Sequence, residues 1–397
     1  MIALRLLALA LGAALGVLYP FIPVILADRG FSPAEIGLVA SIGAVGFTLA
    51  APAWGHLADV RLGRSRTLQV CAIGGAAAAG ALLGAWPPII IAVLFMAYWV
   101  FESAWQPLAD ALTVNHVDRR GYARVRLLTS LAFAVSTIAA GFMYDVTGYQ
   151  LAFVLTVGLA LAMALAAGFV PDVRRADLSA AGGVAEADHG GRFGSAGLAF
   201  RVAPRLAGVL AAVMLLHIAI ISGFTFLPLR LGDLGSPPSD VALSAGVSAL
   251  TEIPAMLVAA TVARKIGLRG IFVVSAVIYA AATASWTVLA TPLLIIATRA
   301  FTGLAFAWVV VGVVLTIARL LPPELQGTGQ SLYQTVGFGI GAIIANIVGG
   351  LLYDLIGSAA VFGMGTVLSL SAAVLGWWVF PRDGARHERI PSAPVAG

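Results

Sequence analysis

Apolar windows of about 20 residues recur along almost the whole chain, and that is the length a helix needs to cross a hydrocarbon core. No other feature narrows the possible folds so far. Hydrophobic residues make up 60% of the 397 positions and charged residues 10%, with a mean hydropathy of +1.00. That is too little charge to cover a soluble globule of this size. The chain therefore reads as an all-α integral membrane protein.

Hydropathy divides it into twelve spans, 3–26, 33–57, 67–84, 88–113, 122–144 and 148–170, then 204–231, 238–263, 268–289, 292–320, 325–353 and 358–380. The start of the chain resembles a signal peptide, but its apolar run continues to Leu26 without a small-residue cleavage site, so it reads as a retained first helix. The stretch 171–203 is the long interruption. Its Asp, Arg, Glu and His residues lie among Ala, Gly and Ser, too few large apolar groups to offset ordering entropy, so a mobile linker is expected there. This gives a bundle over 1–170, a cytoplasmic linker over 171–203, and a second bundle with a short cytoplasmic tail over 204–397.

The basic residues test the layout, because cytoplasmic loops carry the excess of Lys and Arg. With both termini cytoplasmic, 20 of the 23 fall on the inner side. Arg29 and Arg230 fall outside, and Arg299 falls within a span. The net charge of +5 is thus accounted for by topology, and no basic soluble module points to nucleic acid. Arg119, Arg120, Arg124 and Arg126 are expected to serve orientation and lipid headgroup contact.

The two halves repeat. Gly141-Phe142-Met143-Tyr144-Asp145-Val146-Thr147-Gly148 recurs as Gly350-Leu351-Leu352-Tyr353-Asp354-Leu355-Ile356-Gly357, and Phe153 as Phe362, at a constant offset of 209. The same offset carries the small-residue row Ala132, Ser136, Ala140 onto Gly341, Ala345, Gly349. Such rows let helices pack closely in lipid. The fifth span matches the eleventh, so the two six-helix halves are parallel copies. Asp145 and Asp354 end their helices just before a glycine, and turn-capping is the expected role of both.

Between the second and third spans lies Gly55-His56-Leu57-Ala58-Asp59-Val60-Arg61-Leu62-Gly63-Arg64-Ser65-Arg66. This resembles the loop signature of the major facilitator superfamily, G-x-L-a-D-R-x-G-R-[KR], with one extra residue between Asp59 and Gly63. The resemblance implies the twelve-helix fold of that superfamily. It also implies that Gly55, Asp59, Arg61, Gly63 and Arg64 form a gate holding the inner face shut; a solvated turn is the alternative. The second-half counterpart, Ala263-Arg264-Lys265-Ile266-Gly267, lacks the acid. Tyr19-Pro20-Phe21-Ile22-Pro23, Glu35-Ile36-Gly37, Pro107-Leu108-Ala109-Asp110-Ala111, Tyr122-Ala123-Arg124-Val125-Arg126 and Glu252-Ile253-Pro254 resemble the branch containing sugar, nucleoside and phenylpropionate proton symporters.

Ionisable residues inside a membrane face protein or a wet cavity and are functional candidates. Glu102, His217, Glu252 and Arg299 stand well away from helix ends. Separating Glu252 from a neighbouring Arg299 would change the carboxylate's proton affinity, which is what coupling requires; a static buried ion pair is the alternative. His217 is either a proton relay or a satisfied core hydrogen-bonder. Glu102 shares a helical face with Tyr98 and Trp105, and Thr302 and Phe306 extend the face of Arg299. These, with Tyr333, Gln334 and Asn346, are the expected substrate contacts, against ordinary aromatic packing.

The expected function is proton-coupled symport of a small organic solute by alternating access, in a monomer in a bacterial inner membrane. Proton-driven efflux of drug-like compounds is the alternative, followed by a non-transporting sensor or scaffold. No phosphate-binding G-x-x-x-x-G-K-[ST] loop occurs in the chain. The five histidines are scattered and Cys71 is the single cysteine, so no enzyme, metal or cofactor is expected.

Overall fold

Proline and glycine punctuate the helices. Pro33, Pro88, Pro238, Pro292 and Pro323 each open one, at positions where the first-turn donors lack an intrahelical acceptor in any case. The computed structural model describes residues 1–172 and 192–381. Its first half contains α1 (Ile2–Leu18), α2 (Ile22–Asp28), α3 (Pro33–Leu57), α4 (Arg64–Ala81), α5 (Pro88–Glu102), α6 (Trp105–His116), α7 (Arg119–Thr147) and α8 (Gln150–Gly168). The second contains α9 (Arg192–Val202), α10 (Arg205–Asp233), α11 (Pro238–Val288), α12 (Pro292–Leu320), α13 (Pro323–Tyr333), α14 (Gly341–Leu355) and α15 (Ser358–Val379).

Among the described residues, ten helical stretches are long and apolar enough to cross a membrane, fewer than the twelve read from hydropathy. One of the ten is α11. Its 51 residues would extend about 75 Å as a straight helix, more than twice a hydrocarbon core. Gly267, at φ 79° and ψ 165°, turns it back on itself. The helix α4 is not among the ten, because Arg64, Arg66 and Gln69 join a run of Ala and Gly that carries little hydropathy. Most of the expected linker, with Arg174 and Arg175, lies outside the described residues, as do Arg382, Arg386 and Arg389. Its last part corrects the expectation of a structureless segment, since Arg192–Val202 is helical.

The six glycines with positive φ fall into three pairs. Gly30 and Gly235, Gly63 and Gly267, Gly148 and Gly357 occupy corresponding turns of the two halves, the backbone counterpart of the side-chain repeat.

Within the first half, α7 runs beside α1 in parallel. Gly12 meets Thr129, Gly16 meets Phe133 and Ser136, and the Tyr144 hydroxyl donates to the Val17 carbonyl at 2.7 Å. The second half repeats this with α10 and α14, where Gly349 packs on Phe226 and Tyr353 donates to Asp233 at 2.5 Å. The halves meet through two antiparallel contacts at the end of the bundle away from the chain termini. In one, Gly350 of α14 lies against Pro33, Ala34 and Gly37 of α3. In the other, Gly141 of α7 lies against Pro238, Ser239 and Ala242 of α11.

Candidate functional site

Several spans are broken, each for a local reason. A 3-10 turn at Tyr19–Phe21 separates α1 from α2, where Pro20 and Pro23 remove backbone donors. Between α5 and α6 the helix is interrupted at Ser103 and Ala104. Pro107 cannot donate to the Ser103 carbonyl four residues back, and the Ser103 hydroxyl turns to the Val100 carbonyl at 2.8 Å. A π turn over Gln334–Ile340 widens the helix between α13 and α14. Such irregular backbone is tolerated at membrane depth only against protein or a cavity.

Arg299 is the best-defined group. It is 4% exposed on α12. Its Nε donates to the Ser244 carbonyl at 3.4 Å and its Nη1 to the Thr302 hydroxyl at 3.1 Å. The guanidinium lies 5.3 Å over Phe224 and 5.9 Å over Trp286. Thr302 is wholly buried and holds the arginine.

Glu252 is half-buried one turn into the part of α11 loosened by Pro254. It is within electrostatic reach of Arg299, yet no contact salt bridge or hydrogen bond joins it to any described residue. Arg126 of α7 reaches it from the opposite half. Arg126 is itself paired with Asp110 of α6, at 3.1 Å. Thus Glu252 is within electrostatic reach of one cation from each bundle.

Arg126 and Asp110 were not among the expected site residues. The signal for them was depth: Arg126 follows the Arg119–Arg124 cluster by a further half turn, and Asp110 shares the Pro107 segment with the break at Ser103.

His217 belongs to a different environment from the one expected for a relay. It is fully buried, with Nδ1 3.0 Å from the Val213 carbonyl and Nε2 3.3 Å from the Tyr333 hydroxyl. It has no electrostatic contact with Glu252 or Arg299. What connects them is aromatic. His217 packs edge-on to Phe338 at 4.7 Å, Phe338 to Phe306 at 6.4 Å, and Phe306 to Phe224 at 6.0 Å, and Phe224 carries Arg299. Only Phe306 of this wall was expected.

Glu102 forms a separate cluster at the α5–α6 break. It is 7% exposed, with Tyr98 and Trp105 buried beside it and their rings 5.7 Å apart. Among the described residues no hydrogen bond holds its carboxyl, and the Trp105 Nε1 and Gln106 Nε2 donors have no partner either. Asn346 accepts from the Thr225 hydroxyl at 2.7 Å, and Gly37 packs on its carbonyl. Gln334 is exposed on the π turn.

In the Gly55–Arg64 loop, Asp59 pairs with Arg64 at 3.3 Å, while Arg61 is exposed. The extra residue before Gly63 is absorbed as a π turn over Ala58–Leu62. Asp172 caps α4 by accepting from the Arg64 and Ser65 amides at 2.8 and 3.1 Å.

Broken helices around buried charges, between two repeated bundles, define a membrane transporter of the major facilitator type. The family model of the MFS_1 like family matches residues 2–364, and the chain belongs to that family. It is 27% identical over 347 residues to a maltose permease of Geobacillus stearothermophilus, covering 86% of this chain and 84% of the permease. It is 24% identical to an uncharacterized transporter, YwbF, of Bacillus subtilis (strain 168), over 91% of this chain and 88% of the relative. Among solved structures, the nucleoside transporter NupG superposes with a TM-score of 0.78 at 16% identity, covering 95% and 97% of the two chains. A D-xylose-proton symporter superposes with a TM-score of 0.69 at 13% identity, covering 96% and 97%. The fold is therefore that of a multi-pass membrane transporter, a class that is not enzymatic.

Proposed function

We propose that this transporter carries a sugar or nucleoside together with a proton by alternating access. The proposal takes the two arms of α11 as separate spans and α4 as a further one. This gives twelve spans in bundles over 1–170 and 204–397, joined by 171–203, with both termini cytoplasmic in a bacterial inner membrane. The observation that carries it is Glu252, which has no contact partner among the described residues and is within electrostatic reach of Arg126 of one half and Arg299 of the other. Rocking one bundle against the other changes the separation of Glu252 from Arg126 while Arg299 moves with Glu252 in its own bundle, so the proton affinity of Glu252 follows the conformation. Arg299 and the Phe224–Phe306–Phe338 wall offer a fork of donors beside flat apolar faces, which suits a hydroxylated ring. The relatives named above, a maltose permease and a nucleoside transporter, support that class of solute.

The test is uptake into proteoliposomes with an imposed pH gradient, across a panel of sugars and nucleosides. Acidifying the outside should accelerate uptake of at least one solute, and the Glu252→Gln variant should abolish that acceleration. Uptake indifferent to the gradient for every solute bound would overturn the coupling.

A further inference from the structure

The two places where the halves meet are related by the repeat, but they are not closed in the same way. At the α3 end, Ser32 caps its own helix. Its hydroxyl accepts from the Glu35 amide, and Glu35 accepts from the Ser32 amide at 2.8 Å. The matching end of α11 begins Pro237-Pro238-Ser239 and has no side-chain cap of its own. Its first free donor, the Ser239 amide, is instead bound at 2.9 Å by Asp145 of α7, across the boundary between the bundles. Asp354, the repeat partner of Asp145, is exposed and makes no such bond among the described residues. The expectation that both aspartates cap their own turns therefore fails: Asp145 caps α11 instead, and the Asp354 carboxylate makes no hydrogen bond among the described residues.

We infer that Asp145 is a positioning residue for transport, a latch that holds the bundles closed at the end away from the termini and must let go for that end to open. A helix start without a cap leaves amide donors to be satisfied, and a carboxylate there also meets the positive end of the helix dipole. Because the acceptor comes from the other bundle, that stabilisation exists only while the bundles touch. Gly141, one turn earlier on α7, has no room for a Cβ against Ala242 and Ser239, which keeps the aspartate within reach. The inference rests on the alternating-access reading but not on the solute or the proton.

Spin-label distances across that end test it directly. Val146 and Leu355, 87% and 80% exposed on opposite bundles, take the labels after Cys71→Ala removes the native thiol. The Asp145→Ala variant should raise the open population roughly five-fold, the factor that one lost cap is worth. Asp354→Ala should leave the distances unchanged. Asp145→Asn keeps an acceptor oxygen and should shift them less, and it serves if the alanine variant does not fold. Adding Pro237→Ser to Asp145→Ala gives α11 a cap of its own. If Asp145 merely stabilised that helix, this change would restore the original distances; a latch stays released. Unchanged distances in Asp145→Ala, an equal shift in Asp354→Ala, or restoration by Pro237→Ser would each overturn the assignment. Because the readout is opening alone, failure here is separate from failure of uptake to respond to protons.

Discussion

The Tyr333 hydroxyl lies 3.3 Å from Nε2 of His217, whose Nδ1 lies 3.0 Å from the Val213 carbonyl. Both ring nitrogens are thereby occupied: Nδ1 donates to the carbonyl and Nε2 accepts from the phenol. The ring also fills the space left by Gly337 on the π turn, and the His217 Cβ packs against Gly341 just beyond it. His217 pins an irregular piece of α13–α14 to α10, which favours the satisfied hydrogen-bonder over the relay. The Tyr333→Phe variant should lower stability by about 1 kcal/mol, the net worth of one buried hydrogen bond. A thermal melt of the detergent-purified protein reads this. The pH profile of uptake should not move, and a shifted profile would return His217 to the relay.

Two glycines near the α3–α4 junction should behave oppositely. Gly63 sits at φ 83° and ψ 160°, a region open almost only to glycine, and a Cβ there would strike the Asp172 carboxylate that caps α4. The Gly63→Ala change should cost about 1–3 kcal/mol. Gly55 lies within α3 and faces open space, so Gly55→Ala should stabilise by up to about 0.5–1 kcal/mol. Equal melting temperatures for the two variants would contradict this account of the loop.

Arg299 tests whether the aromatic wall is more than packing. Lysine in its place keeps the charge but loses the planar fork that reaches Ser244 and Thr302 together, and the stacking on Phe224. Loss of a charged hydrogen bond, about 1.5–3 kcal/mol, should raise KM for the solute about ten-fold or more in Arg299→Lys while the protein still folds. Phe224→Ala should raise KM and leave the pH response intact, separating solute contact from coupling. If Phe224→Ala changed only the melting temperature, the wall would be core.

What could be read from residues alone was whatever repeats or stays apolar. The helix starts at Pro33, Pro88, Pro238 and Pro292, the matched Gly148 and Gly357 turns, and the unusual depth of Glu102, Glu252, His217 and Arg299 all lie on the surface of the sequence. Partnerships between segments did not. Arg126 looked like one more cytoplasmic arginine because its companions Asp110 and Glu252 are on other helices. His217 looked like Glu252 in kind, and only three-dimensional packing separates a pinned imidazole from a bare carboxylate. The α4 span is the faintest in the sequence, because its run of alanine and glycine contributes little transfer free energy and Arg64, Arg66 and Gln69 join it.

The Asp110–Arg126 pair is where stability and transport should part. Both side chains are well exposed, 32% and 45%, so breaking the pair should cost less than about 1 kcal/mol. Its other effect is electrostatic. With Asp110→Asn, Arg126 loses the one carboxylate it contacts among the described residues and is left to Glu252. A cation held closer to a carboxylate favours the ionised form, so Glu252 needs a more acidic medium to take its proton. The pH optimum of gradient-driven uptake should therefore move to lower pH in Asp110→Asn, with the melting temperature almost unchanged. Arg126→Gln removes that cation and should move the optimum the other way. Shifts in the same direction, or a loss of stability large enough to explain the loss of transport, would mean that Arg126 does not govern Glu252.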